Sequence, residues 1–199
     1  MTALTQPVIG VLSVQGGFAE HSRSVEAAGA QPRPVKRVEH LDGLDGIVLP
    51  GGESTTMSKL LELGGLLNPL RSAIADGLPA MGTCAGLILL ATDVLDTRED
   101  AHSLAALDVA VRRNAFGRQV NSFETYLDFK GIDTPVDSIF IRAPKVERIG
   151  PDVEVLAELD DGTVVAVRQN HVMGCSFHPE LTSDNRVHEF FVEMVRGRS

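Results

Sequence analysis

The chain has 199 residues, 43% of them hydrophobic and 23% charged, an ordinary balance for one folded domain with a full core, so a single domain over 1–199 is expected. A net charge of −9 with no Lys/Arg cluster argues against nucleic acid or an anionic membrane as partner. The longest apolar run, 78–91, is too short to span a bilayer, residues 1–7 lack a positive n-region, and two cysteines make no disulfide framework; the expected location is the cytoplasm.

Residues 8–14 form a β-branched run that reads as the first buried strand. Gln15-Gly16-Gly17 ends it, and a helix is predicted over 18–28 with Gly29 as its stop. The glycine pair lacks the spacing of a dinucleotide-binding turn. Pro32 and Pro34 predict an edge strand around Val35, because proline cannot donate to a central ladder. Ile47-Val48-Leu49 predicts a short buried strand, followed by the loop Pro50-Gly51-Gly52-Glu53-Ser54. Ser54 or Thr55 is expected to cap a helix running through Leu67. That loop has neither the lysine nor the spacing of a P-loop.

Residues 78–81 read as a strand and 85–91 as a helix apolar nearly all round, and so deeply buried. Between them stands Gly82-Thr83-Cys84-Ala85-Gly86. This is the spacing of a nucleophile elbow, a sharp strand-to-helix turn that lifts one reactive side chain above a sheet. The glycines answer the crowding that such a turn imposes. An ordinary thiol is only a few per cent ionised at neutral pH, and a helix N-terminus or a neighbouring imidazolium favours the thiolate. On this spacing alone Cys84 also reads as a small buried hydrophobe.

Residues 93–103 are polar and predict an exposed loop, 107–111 alternate as a strand, and 113–119 predict a loop able to reach over a site. Strands are expected over 122–129 and 138–141, then a connector bounded by Pro144 and Pro151. Asp161-Gly162, between 153–159 and 163–168, is a hairpin signal. The next strand carries Cys175 and leads into Ser176-Phe177-His178-Pro179-Glu180-Leu181. Pro179 pushes His178 towards an extended conformation, where side chains two apart share a face. Glu180 can then orient the imidazole and stabilise its charged form. Cys175 and His178, at an offset of three, point to opposite faces, and without a further Cys/His cluster no metal site is expected. By the same parity His171 reads as structural. Ser183 or Asp184 is expected to cap a final helix whose apolar stripe is Val187, Phe190, Phe191 and Met194.

The elbow and the His-Pro-Glu run together resemble the class I glutamine amidotransferases, whose triad is Cys, His, Glu in that chain order. The segments 50–56, 113–119, 140–144 and 176–182 narrow the resemblance to the glutaminase subunits of pyridoxal 5′-phosphate synthase, the PdxT family, over about residues 8–195. It implies a triad of Cys84, His178 and Glu180. It also implies glutamine contacts at Gly52, Glu53, Ser54, Arg113, Ile141 and Arg142, and sets Gln15 near the pocket or a partner interface. Backbone N–H groups of Gly52 and Ala85 are the expected oxyanion donors. The implied partner is a (β/α)₈-barrel synthase subunit in a large heteromeric complex, which receives ammonia and activates the glutaminase. No metal or organic cofactor is required. The expected fold is a three-layer α/β/α class I glutamine amidotransferase-like fold with a mostly parallel central sheet and an antiparallel extension.

Two departures stand out: Asn121 where an aspartate is expected, and Cys175 where a non-thiol residue is commoner. Two rival readings remain at this stage, a cysteine hydrolase of related fold acting on γ-glutamyl conjugates or peptides, and a thiol redox sensor. An α/β-hydrolase is disfavoured because its acid precedes its histidine.

Overall fold

The computed structural model describes residues 6–113 and 122–197. Its first half alternates strand and helix: β1 (Val8–Leu12), α1 (Phe18–Ala27), β2 (Gln31–Val35), β3 (Gly46–Leu49), α2 (Ser54–Leu63), α3 (Leu67–Ala75), β4 (Ala80–Thr83) and α4 (Ala85–Leu90). The second half is mostly strand: β5 (Ala91–Leu95), β6 (Leu107–Arg112), β7 (Ser122–Leu127), β8 (Val136–Ile141), β9 (Lys145–Ile149), β10 (Glu154–Glu158), β11 (Val164–Gln169) and β12 (Val172–Cys175). It closes on α5 (Arg186–Arg196).

Among the described residues the main sheet has seven strands in the order β10-β11-β12-β4-β3-β1-β2. From β12 to β2 every ladder is parallel, while β10, β11 and β12 pair antiparallel. A parallel sheet with an antiparallel extension is the expected architecture. The proline-bearing β2 lies at the edge, where missing N–H donors cost least.

Both faces of the sheet are covered, which is why its central strands are short continuous apolar runs. Ile47 and Leu49 enter one core with Met57, Leu61, Leu70 and Leu87, whereas Val48 enters the other with Val25, Phe191 and Val195. The period of two along β3 thus splits its side chains between α2–α4 on one side and α1 and α5 on the other.

Several boundaries differ from expectation. The helix predicted to reach Leu67 stops at Leu63, because Gly65 turns left-handed (φ +67) before α3 begins. Residues 93–103 are not all loop, since β5 pairs with β6, and the connector between Pro144 and Pro151 contains β9, antiparallel to β6. Ion pairs mask these strands in the sequence. Arg112 joins Asp96 and Glu147, and Arg148 joins Asp93 and Asp108, so the outward face reads as solvated loop. The cap residue of α5 is Asn185 without a side-chain bond, and the Asp184 carboxylate instead accepts the Arg186 N–H at 3.2 Å.

Candidate active site

The order β12-β4-β3-β1 decides what can meet. These strands are parallel, so their carboxyl ends lie on one edge, where open α/β sheets bind ligands. Cys84 follows β4 in the middle, the segment leading to His178 follows β12 on one side, and the Gly51-Gly52 loop follows β3 on the other. Gln15, after β1, is one strand further along.

The elbow is built as its spacing predicts, with one difference. The strained residue is Cys84 itself, at φ +51 and ψ −106, whereas Gly82 and Gly86 have no positive φ. The two glycines serve close approach. A Cβ on Gly86 would stand 1.9 Å from the Leu49 carbonyl oxygen, and one on Gly82 would stand 2.5 Å from the Gly86 backbone. The Cys84 N–H is tied to the Cys175 carbonyl at 2.9 Å, which anchors the turn to β12. Cys84 is 8% exposed, and its Sγ lies 3.9 Å from the Ile141 carbonyl oxygen.

His178 is non-helical (φ −110, ψ 83), as Pro179 requires, but the extended run does not continue to Glu180. Pro179–Leu181 is a 3₁₀ turn, closed by the Leu181 N–H on the His178 carbonyl at 3.2 Å. That turn, rather than strand parity, sets Glu180 Oε1 2.7 Å from His178 Nδ1. The His178 N–H donates to the Ile139 carbonyl at 2.8 Å, fixing this segment against β8. Burial opposes a charged imidazole, but hydrogen bonds to Cys84 and Glu180 outweigh it and push the His178 pKa up to about 10. Burial also acts to raise the Glu180 carboxyl, and the hydrogen bond from His178 overrides it, holding the group below its ordinary value.

Gly51 is the residue that leaves room for the His178 ring beside the elbow. A Cβ there would lie 2.6 Å from His178 Cε1, too close for the ring to keep its place, and 3.6 Å from Cys84 Cβ, an ordinary contact. Sequence reading passed over Gly51 in favour of its neighbour; the Gly-Gly pair was the available signal. Gly52 has φ +150. The next N–H, that of Glu53, donates to Gln15 Oε1 at 3.0 Å, so Gln15 holds this loop from the neighbouring strand. Ala85 is the first residue of α4, and first-turn N–H groups have no partner within their helix.

Glu53, not Ser54 or Thr55, caps α2: its carboxylate accepts from the Thr55 and Thr56 N–H groups at 3.0 and 2.8 Å. A glutamate reaching two and three residues forward does the work usually given to a shorter side chain. Burial pushes its pKa up, but the Thr56 and Thr55 donors and the Arg113 guanidinium prevail and hold it at about 2. Arg113 donates to Glu53 Oε1 at 2.9 Å and to Thr55 Oγ1 at 3.1 Å. Arg142 follows Ile141 in a left-handed conformation (φ +45), a strained position for a side chain of its size. Residues 114–119 of the predicted loop, and Asn121, lie outside the described residues.

Cys175 is fully buried in the core shared with Phe177 and Phe191, and burial pushes its thiol well above its ordinary value. His171 binds the Ile74 carbonyl at 2.7 Å, a structural tie of the kind its parity implied. Sequence reasoning missed what stands behind Glu180: the buried side chains of His21, Thr83 and His188. A histidine on the inner face of a helix reads as core, and only the packing shows what it faces.

The model of the SNO glutamine amidotransferase family matches residues 11–197. The chain is 70% identical over 191 residues to the pyridoxal 5′-phosphate synthase subunit PdxT of Corynebacterium jeikeium, covering 96% of this chain and 98% of that protein. It is 57% identical over 200 residues to the protein of the same name from Nocardia farcinica, covering 98% and 88%. Among solved structures it resembles one described as a glutamine amidotransferase, with a TM-score of 0.89 and 44% identity over 94% of this chain and 98% of that one.

Proposed function

This chain belongs to the SNO glutamine amidotransferase family, and from that membership we propose that it is the glutaminase of a pyridoxal 5′-phosphate synthase, acting through Cys84, His178 and Glu180. It hydrolyses L-glutamine to L-glutamate and supplies the ammonia for vitamin B6 synthesis. The observation that carries the assignment of residues is one convergence: a strained Cys84 and the imidazole of His178 both packed against Gly51, with Glu180 2.7 Å behind the ring.

Glutamine binds with its side-chain amide over Cys84. The sulfur attacks the amide carbon, and the oxygen takes up negative charge facing the N–H groups of Gly52 and Ala85. The C–N bond breaks as His178 delivers a proton to the departing nitrogen, and ammonia leaves a γ-glutamyl thioester on Cys84. Water then gives a proton to His178 and attacks the thioester. The C–S bond breaks to release glutamate, and the sulfur is left anionic beside the protonated ring, ready for the next attack. Glu180 keeps the ring oriented and its charged form favourable throughout.

Arg113 supports the substrate end. Its fork is already oriented by Glu53 and Thr55, and each terminal nitrogen has a further N–H for the α-carboxylate of glutamine. Ser54, Ile141 and Arg142 complete the contacts, and Gln15 holds the Gly52 loop at the rim. The ammonia is delivered to a separate (β/α)₈-barrel synthase subunit within a heteromeric complex, since free ammonia would be protonated and lost. The single domain works in the cytoplasm, and no helix among the described residues is long and apolar enough to cross a membrane.

The test is release of ammonia and glutamate from glutamine, with and without a purified synthase subunit, against γ-glutamyl peptides as competing substrates. Free glutamine is expected to be preferred and the synthase subunit to stimulate turnover. Preference for the peptides, or a wild-type rate from Cys84→Ala, would overturn the reading.

A further inference from the structure

Behind the triad lies a pair of histidines with no part in the chemistry above. His21 comes from the inner side of α1 and His188 from the inner side of α5, and both are essentially inaccessible. Their ring centroids are 5.1 Å apart with the planes inclined at 53°, and His21 Nδ1 lies 2.9 Å from His188 Nε2. On its other side His21 Nε2 meets Thr83 Oγ1 at 3.1 Å and Glu180 Oε2 at 3.4 Å. Burial lowers the pKa of both rings, that of His188 to about 3, so each is neutral with one N–H and one bare nitrogen.

One atom orders the whole chain of protons. His188 Nδ1 is buried and, among the described residues, has no hydrogen-bond partner. A buried N–H left unpaired costs more than an unused lone pair, so that nitrogen is the bare one. His188 therefore carries its proton on Nε2 and donates to His21 Nδ1. This leaves the His21 proton on Nε2, facing Thr83 and the carboxylate. Glu180 is open to it: Oε1 is committed to His178, while Oε2 is buried without a hydrogen bond among the described residues.

We propose that His188 and His21 are positioning residues of the triad. His188 fixes the tautomer of His21, and His21 presents its N–H to the second oxygen of Glu180, steadying the carboxylate that aims His178. With the opposite tautomers, a bare His21 Nε2 would face Oε2 and two lone pairs would oppose each other at 3.4 Å. The kinetic part of this proposal rests on the glutaminase reading; the order of the protons does not.

The test has two arms. Long-range ¹H–¹⁵N spectra of the wild-type chain at pH 7, labelled at the histidine ring nitrogens and assigned with His21→Gln and His188→Gln, should show the Nε2–H tautomer for both rings. An Nδ1–H tautomer in either ring overturns the proposal, whether or not any variant folds. In the complex with its synthase subunit, His188→Leu should lower kcat for ammonia release by about tenfold with KM little changed. His188→Gln, whose amide N–H can take the place of Nε2–H, should recover most of that loss. A wild-type kcat in the leucine variant, or a glutamine variant as impaired as the leucine one, overturns it. If the wild-type complex releases no ammonia from glutamine, the glutaminase reading fails, while the spectra still decide the order of the protons.

Discussion

His178 Nδ1 and Glu180 Oε1 stand 2.7 Å apart across a single 3₁₀ turn, with the carboxylate side chain almost wholly shielded from water. In that setting burial works against the imidazolium, yet its partners Cys84 and Glu180 prevail and the pKa rises to about 10. A value above the ordinary 6.5 means that the charged ring stabilises the fold fully below pH 6.5 and loses that contribution as pH rises through about 10. NMR titration of His178 should show this, with Glu180→Gln bringing the value down. The difference in unfolding free energy between wild type and Glu180→Gln should be clear at pH 6.5 and narrow towards pH 10.

Cys84 occupies a conformation that side chains avoid, at φ +51 and ψ −106. Replacing it by alanine should cut ammonia release by roughly a thousandfold or more without relieving the strain. Cys84→Gly should be equally inactive but more stable than Cys84→Ala by about 1 kcal/mol or more, the reverse of the usual order. Denaturant unfolding of the pair measures the difference, and a less stable glycine variant would count against a strained elbow.

Gly51→Ala should damage catalysis more than stability. Its Cβ would lie 2.6 Å from His178 Cε1, so the ring must move, and displacement of about 1 Å can cost roughly a hundredfold in rate. Steady-state kinetics should show a fall in kcat much larger than any rise in KM.

Arg113→Ala should do the opposite. Loss of a charge-assisted bond to the substrate carboxylate costs about 1.5–3 kcal/mol, so KM for glutamine should rise by roughly tenfold or more. Arg113→Lys should restore little, because an ammonium cannot hold Glu53, Thr55 and a carboxylate at once in the geometry of a planar fork.

Glu53→Ala removes the cap of α2 and should cost about 1 kcal/mol at neutral pH. Because the Glu53 pKa is held at about 2, below the ordinary 4.5, its contribution is present above pH 4.5 and lost as pH falls through about 2. Acid unfolding of the two proteins should therefore converge near that lower pH.

The parts that could be read without coordinates are those in which neighbouring residues dictate the backbone. Cys84 between two glycines, His178 before a proline, and prolines in the edge strand β2 each carry their meaning within a few positions. Even there the reading erred where a longer side chain replaced a shorter one, as with Glu53 at the head of α2. Strands β5 and β9 escaped because charge pairs across the ladder erase the alternation that marks a half-buried strand. His21 and His188 were silent because they are separated by 167 positions and each alone looks like an ordinary core residue.

By itself the sequence determined the elbow, the non-helical backbone at His178 and the mostly parallel core, because these depend on local sterics and on the pattern of apolar residues, and its ordered motifs determined the family. Only the tertiary structure decided which groups share the sheet edge, that Gly51 makes room for the His178 ring beside Cys84, and that a second pair of rings stands behind the carboxylate. Those are contacts between strands and helices distant in the chain. They follow from strand order and helix packing, which no short stretch of residues encodes.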